Sequence, residues 1–197
     1  MQRELRAFFA LCGFVILAGC AGTDFKRPDS SQVVLGKTKV DEVIRMMGEP
    51  RTTGEALRNN ERIRTLTYAF AQAGGTPKYP GVTPARAMSF SSFDGVIVSH
   101  DFISSFAEDA TDFDDAKISE IVKGKSTRAD VLALLGKPCG EALYPVIKDR
   151  QNTAVIYAYT QVKGSPFNLQ VYRKILIVSL DPSGVVADVD FSTSGQR

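Results

Sequence analysis

The chain has 197 residues, a formal net charge of +2 and an apolar fraction of 44%. It is long enough for a sizeable core, and it is too nearly neutral to carry the electrostatic footprint of a nucleic-acid binder. Positions 1–20 stand apart from everything that follows. Arg3 and Arg6, diluted by Glu4, precede an almost wholly apolar run over 7–18 whose one weak member is Gly13. A run that short reads as the h-region of a signal peptide, not as a membrane span.

The run ends in Leu17-Ala18-Gly19-Cys20, which resembles a bacterial lipobox. The resemblance implies that 1–19 are removed and that Cys20 becomes a lipidated N-terminus. A lipobox cysteine carries two or three acyl chains, and about two suffice for stable anchoring. Alanine rather than aspartate at position 21 implies retention at the periplasmic face of the outer membrane. Cys12 leaves with the signal and Cys20 is capped by lipid, so Cys139 is the sole remaining thiol and no intrachain disulfide is expected. Cys139 has no histidine near it in sequence and reads as a partly buried, inert thiol. Positions 20–31 are polar and read as a lipidated tether.

The next stretch, 36–50, is GKTKVDEVIRMMGEP, and it recurs at 124–138 as GKSTRADVLALLGKP. The two copies are 88 residues apart, and five positions are identical without gaps: Gly36, Lys37, Val43, Gly48 and Pro50 match Gly124, Lys125, Val131, Gly136 and Pro138. A match at one fixed period marks an internal duplication. Each copy reads as a short helix with its signals attached. Thr38 suits the N-cap, and Asp41 and Glu42 suit the positive end of the dipole. Val40, Val43, Ile44 and Met47 form one apolar stripe, Gly48 suits the turn after the helix, and Pro50 stops it. In the second copy the cap is either Ser126 or Thr127 with Asp130, and Val131, Leu132 and Leu135 carry the stripe. Gly-Lys-Thr and Gly-Lys-Ser also look like the end of a phosphate-binding loop. That motif needs a further glycine where Ser31 and Ser119 stand, so the nucleotide reading is rejected.

After the first copy, 51–61 reads as a polar loop containing Gly54-Glu55-Ala56-Leu57. The same tetrapeptide returns at 140–143. Strands are expected at 62–71, 87–93 and 96–102, the last two joined by the turn Asp94-Gly95. Their counterparts are 153–162, 169–180 and 185–191. The Gly- and Pro-rich 72–86 reads as a long hairpin loop that either moves freely or makes contacts. The acidic 108–115 lacks calcium-loop spacing and reads as a linker capping a helix at 114–123. His100, the only histidine, falls on an apolar strand face and reads as core-facing. Asp101 and Asp190 match each other across the duplication. They are weak candidates for a carboxylate site and read as structural. No cofactor or metal is expected.

The order helix, Gly, helix, Gly-x-Pro, loop and three strands, with G-K-[ST]-x-x-x-x-V-x-x-[ML]-[ML]-G-x-P, resembles the SmpA/OmlA (BamE-like) family of outer-membrane lipoproteins. The tandem layout also resembles the secreted β-lactamase inhibitor proteins. Two departures are the duplication itself and the lack of tryptophan. The resemblance implies an α+β fold of two tandem units, 32–107 and 114–193. Each would be a helical hairpin packed on a three- or four-stranded antiparallel sheet. It further implies a non-catalytic, membrane-anchored adaptor for a protein partner in outer-membrane or envelope assembly, or alternatively an inhibitor of a periplasmic enzyme. The structural motif residues would be Gly36, Thr38, Val43, Gly48, Pro50, Gly124, Ser126, Val131, Gly136 and Pro138, with Cys20 the lipid attachment site.

Overall fold

The computed structural model describes residues 22–29, 31–165 and 168–195; Cys20 and the signal segment lie outside them. Period-two alternation dominates what is described. Eight strands follow one another: β1 Thr52–Arg58, β2 Glu61–Ala71, β3 Ala85–Phe93, β4 Val96–Ser104, β5 Gly140–Ala142, β6 Thr153–Ser165, β7 Asn168–Leu180 and β8 Val186–Ser194. Each pairs antiparallel with its neighbour in sequence, so spatial order and chain order coincide. Two eight-residue helices, α1 Val40–Met47 and α2 Arg128–Leu135, and a short 3-10 helix, Asp115–Glu120, are the helical elements among the described residues.

The expected α+β fold of two helix-on-sheet units is therefore corrected. The described residues are largely β, 46% strand against 13% helix, in one curled eight-stranded sheet. Three local departures produce the difference. The polar stretch after α1 is not a loop: it pairs as β1, from Thr52 opposite Thr67 to Arg58 opposite Glu61. The tetrapeptide's second copy supplies β5, which sits between β4 and β6 and makes the sheet continuous. Gly140 is required there, because a Cβ would lie 2.1 Å from the His100 carbonyl oxygen. Finally, the helical hairpins shrink. Positions 31–32 and 35–37 form only turns, and only Asp115–Glu120 of the expected 114–123 helix is helical, as 3-10. Segments that short do not offset the cost of nucleating an α-helix.

The two copies of the repeated stretch make the same bonds. Ile97 N donates to Thr38 O and Val186 N to Ser126 O, both at 2.8 Å, which ties each helix entry to a strand. Tyr68 Oη donates to Gly48 O and Tyr157 Oη to Gly136 O, both at 2.8 Å. Val43 and Val131 are fully buried, Val43 among Leu66, Phe90 and Ile97 and Val131 among Val155, Tyr157 and Leu176. Gly48 (φ 80°, ψ −169°) and Gly136 (φ 78°, ψ −157°) occupy backbone space open essentially to glycine alone. One role changes. Thr38 is not the N-cap; its Oγ1 accepts from Val34 N at 2.9 Å and closes the preceding turn, as Ser126 Oγ does for Val122 N. The caps are Lys39 and Thr127, and Thr127 forms a capping box with Asp130.

The rest of the chain ties the halves together. The segment read as a tether packs down instead: Phe25 stands edge-on to Tyr68 and Phe102, and Arg27 Nη2 donates to Cys139 O at 3.0 Å. An aromatic side chain at 25 is enough to make a polar segment adhere. The long loop at 72–84 reaches into the second half, where Thr83 N donates to Val162 O at 2.8 Å. Tyr79 Oη donates to Asp112 Oδ2 at 2.6 Å. The acidic linker is held by Lys174, which is buried and reaches Asp112 at 2.9 Å and Asp115 at 2.7 Å. From the turn after β1, Asn59 Nδ2 donates to Pro145 O and Ile147 O.

Candidate functional site

Helices cover one face of the sheet; the other is open. Along β4, His100 and Phe102 point to the covered side and Asp101 and Ile103 to the open one, as alternation dictates. Pairing carries the same parity across strands. Asp101 lies opposite Ser89 of β3 and Gly140 of β5, and Arg173 lies opposite Thr160 of β6 and Ser194 of β8. Small and hydroxylated side chains therefore adjoin the two charges on this face, with Ile63, Ile103, Ile175 and Ile177 further along it.

Two hollows occupy this face, of about 560 and 620 Å³. They share Thr65, Ser91, Asp101 and Arg173 and so form one cleft. The second is lined jointly by Ala56 and Ile63 near one edge of the sheet and by Asp190 and Ser192 of β8 at the other. Residues from opposite edges can share a hollow only because the sheet curls with its open face inward. Within the second half, part of this face is covered by the segment after β5, where Val146 and Ile147 pack with Ala154, Ile156 and Ile177.

Asp101 is the electrostatic centre of the cleft. Burial pushes its carboxyl up to about 6, against the opposing pull of the Arg173 guanidinium. An acid held there is mostly ionised at neutral pH in a setting that disfavours the charge. Strongly perturbed carboxyls in clefts are markers of functional sites. Asp190 lines the same cleft but is exposed on the edge strand. The sequence match between the two aspartates thus conceals unlike environments, one central and one at the rim.

The other candidates fall elsewhere. His100 is buried on the covered face, opposite Phe90 and Glu141. Burial lowers its pKa, Glu141 raises it and Arg27 lowers it, so the ring is neutral near pH 7. Cys139 is buried, and burial together with Asp101 pushes its thiol far above the ordinary range, so it stays protonated. The motif residues Gly36, Gly48, Pro50, Gly124, Gly136 and Pro138 mark the turns and ends of α1 and α2, away from the cleft lining. Arg173 and β1 were not picked out from sequence. An arginine in an alternating strand carries no signal of what faces it across a curl. Among the described residues no group of three or more His, Cys, Asp or Glu is placed to hold a metal ion. No family profile, characterised protein or solved structure matches this chain.

Proposed function

We infer that this chain is a lipid-anchored, periplasm-facing binding protein of the outer membrane, and that its cleft receives a segment of a protein partner in envelope assembly. The lipobox-like Leu17-Ala18-Gly19-Cys20 supports the anchor. The repeated G-K-[ST]…G-x-P helix motif supports kinship with SmpA/OmlA-type lipoproteins, whose members act by binding. The observation that carries the reading is the curled open face itself. It is long, its lining is about half Ser, Thr and Ala with Ile and Val side chains between them, and Asp101 and Arg173 lie where its two hollows meet. A surface of small side chains lets a partner's backbone approach closely, and the two central charges select its register.

Photo-crosslinking in the native envelope tests this. A photoreactive residue at Ser91 or Ser192, both lining the cleft, is expected to capture a subunit of the outer-membrane assembly apparatus. The same group at Met46, on the exposed flank of α1, is expected to capture nothing specific. Capture of a lone periplasmic hydrolase would instead favour the inhibitor reading. Capture from Met46 but not from the cleft would overturn the cleft as the binding surface. An enzymatic activity lost on Asp101→Asn or Asp190→Asn in a folded variant would overturn the non-catalytic reading.

A further inference from the structure

We propose that the end of the sheet where the N-terminal arm is seated, including the base of the β6–β7 hairpin, rests on the phospholipid surface and fixes the orientation of the cleft. The inference depends on the lipid-anchored reading of Cys20 and adds the contact surface and its partner. It starts from chain length. Gly22 is seated against β2: a Cβ on it would lie 2.1 Å from the Ala69 carbonyl oxygen, at φ +72°. Position 20 is two peptide units away, a span of at most about 7 Å. An acyl chain attached there enters lipid beside the body of the protein, with no free tether to let it tumble.

The neighbourhood of Gly22 then decides what meets the membrane. In an antiparallel meander, β2, β4, β6 and β8 all end on one side, and Ala69 is near the end of β2. The β6–β7 hairpin projects from that side, and the 72–84 loop binds to it through the Val82–Lys163 bridge. Among the described residues, two of the seven large apolar ones that stand exposed, Leu169 (58%) and Val171 (50%), are on this hairpin. They are two positions apart and so share one face of β7. Lys78, exposed on the loop, and Lys163, opposite Gln170, stand at the same end of the sheet with side chains long enough to reach headgroups. Paired exposed apolar side chains at the same end of the sheet as the lipid attachment point match an interfacial contact.

The test uses the acylated full-length protein in phosphatidylcholine vesicles carrying a headgroup-level nitroxide quencher. Leu169→Cys, Val171→Cys and Ser183→Cys are each labelled with a polarity-sensitive fluorophore; buried Cys139 does not compete for label. Ser183 lies in the β7–β8 turn at the opposite end. Quenching several-fold stronger at 169 and 171 than at 183, with a blue-shifted emission, is expected. Equal quenching at all three, or stronger quenching at 183, would overturn the proposal. Mass spectrometry of the purified chain separates the causes of failure. An unacylated Cys20 overturns both the anchored reading and this inference, whereas acylation without selective quenching overturns this inference alone.

Discussion

Asp101 makes the native state less stable than its fold requires. A carboxyl moved from 3.8 to about 6 costs on the order of 3 kcal/mol when ionised. The sign follows from proton binding. Between 3.8 and about 6 the native state holds more of this proton than the unfolded state, so stability falls as pH rises through that window. Above it the cost is complete; below it the cost is absent. Asp101→Asn is therefore expected to raise the urea midpoint at about pH 7.5, with the gain shrinking as pH falls below about 6 and gone below 3.8. A variant no more stable than the parent at neutral pH would show that Arg173 already compensates the charge. Lys174 is the opposite case. Burial pulls its ammonium down, but the hydrogen bonds it donates to Asp112 and Asp115 outweigh that and hold it above the ordinary range. One buried charge is satisfied and fixes the linker; the other faces the cleft, its ionised form disfavoured by burial and only partly offset by Arg173.

Gly-Glu-Ala-Leu shows at the level of the element how context overrides sequence. In β1 it lies on an edge strand with all seven residues exposed; in β5 it is the middle of the sheet, with Gly140 and Ala142 buried. Gly54 has nothing within 4 Å of an added Cβ, whereas Gly140 would meet His100 O at 2.1 Å and Asp101 Cα at 2.7 Å. Gly54→Ala is thus expected to change stability by less than about 0.5 kcal/mol, and Gly140→Ala to destabilise by more than about 3 kcal/mol. Thermal melts of the pair check this, and equal effects would mean that β5 can shift away from β4. The same contrast explains what was legible. β2, β3, β4, β6 and β7 could be placed because at least one of their faces is buried, so residues such as Leu66 and Tyr68 or Leu176 and Val178 mark them; β8, buried only at Val186, was placed as the counterpart of β4 in the duplication. β1 buries neither face and carries no pattern, and three residues of β5 are too few to show one. The helix stripe at Val43 and Val131 was legible because it is local. The cleft was not, since Asp101 and Arg173 share it only through the curl of the whole sheet.

A duplicated sequence suggests two units that unfold separately, but the pairing of the whole molecule argues otherwise. Ser99, His100 and Asp101 of β4 pair with Ala142, Glu141 and Gly140 of β5, so the ladder passes between the halves without a break. Cross-connections close around this joint: Arg27 to Cys139, Asn59 to Pro145 and Ile147, Thr111 to the Ala158 carbonyl, and Arg150 to Glu61. Freeing either half would strand these backbone acceptors and expose both Ala142, fully buried, and Ile147. Unfolding is therefore expected to be a single transition, with calorimetric and van't Hoff enthalpies equal. Val43→Asp and Val131→Asp place a charge in separate clusters, each at a cost above about 4 kcal/mol. Each should lower the one shared melting temperature, and neither should leave half the ellipticity behind as a residual folded unit. A biphasic melt in either variant, with one phase at the parent's temperature, would show that the β4–β5 ladder does not couple the halves. The cleft would then be a hinge between two independent pieces rather than a rigid surface.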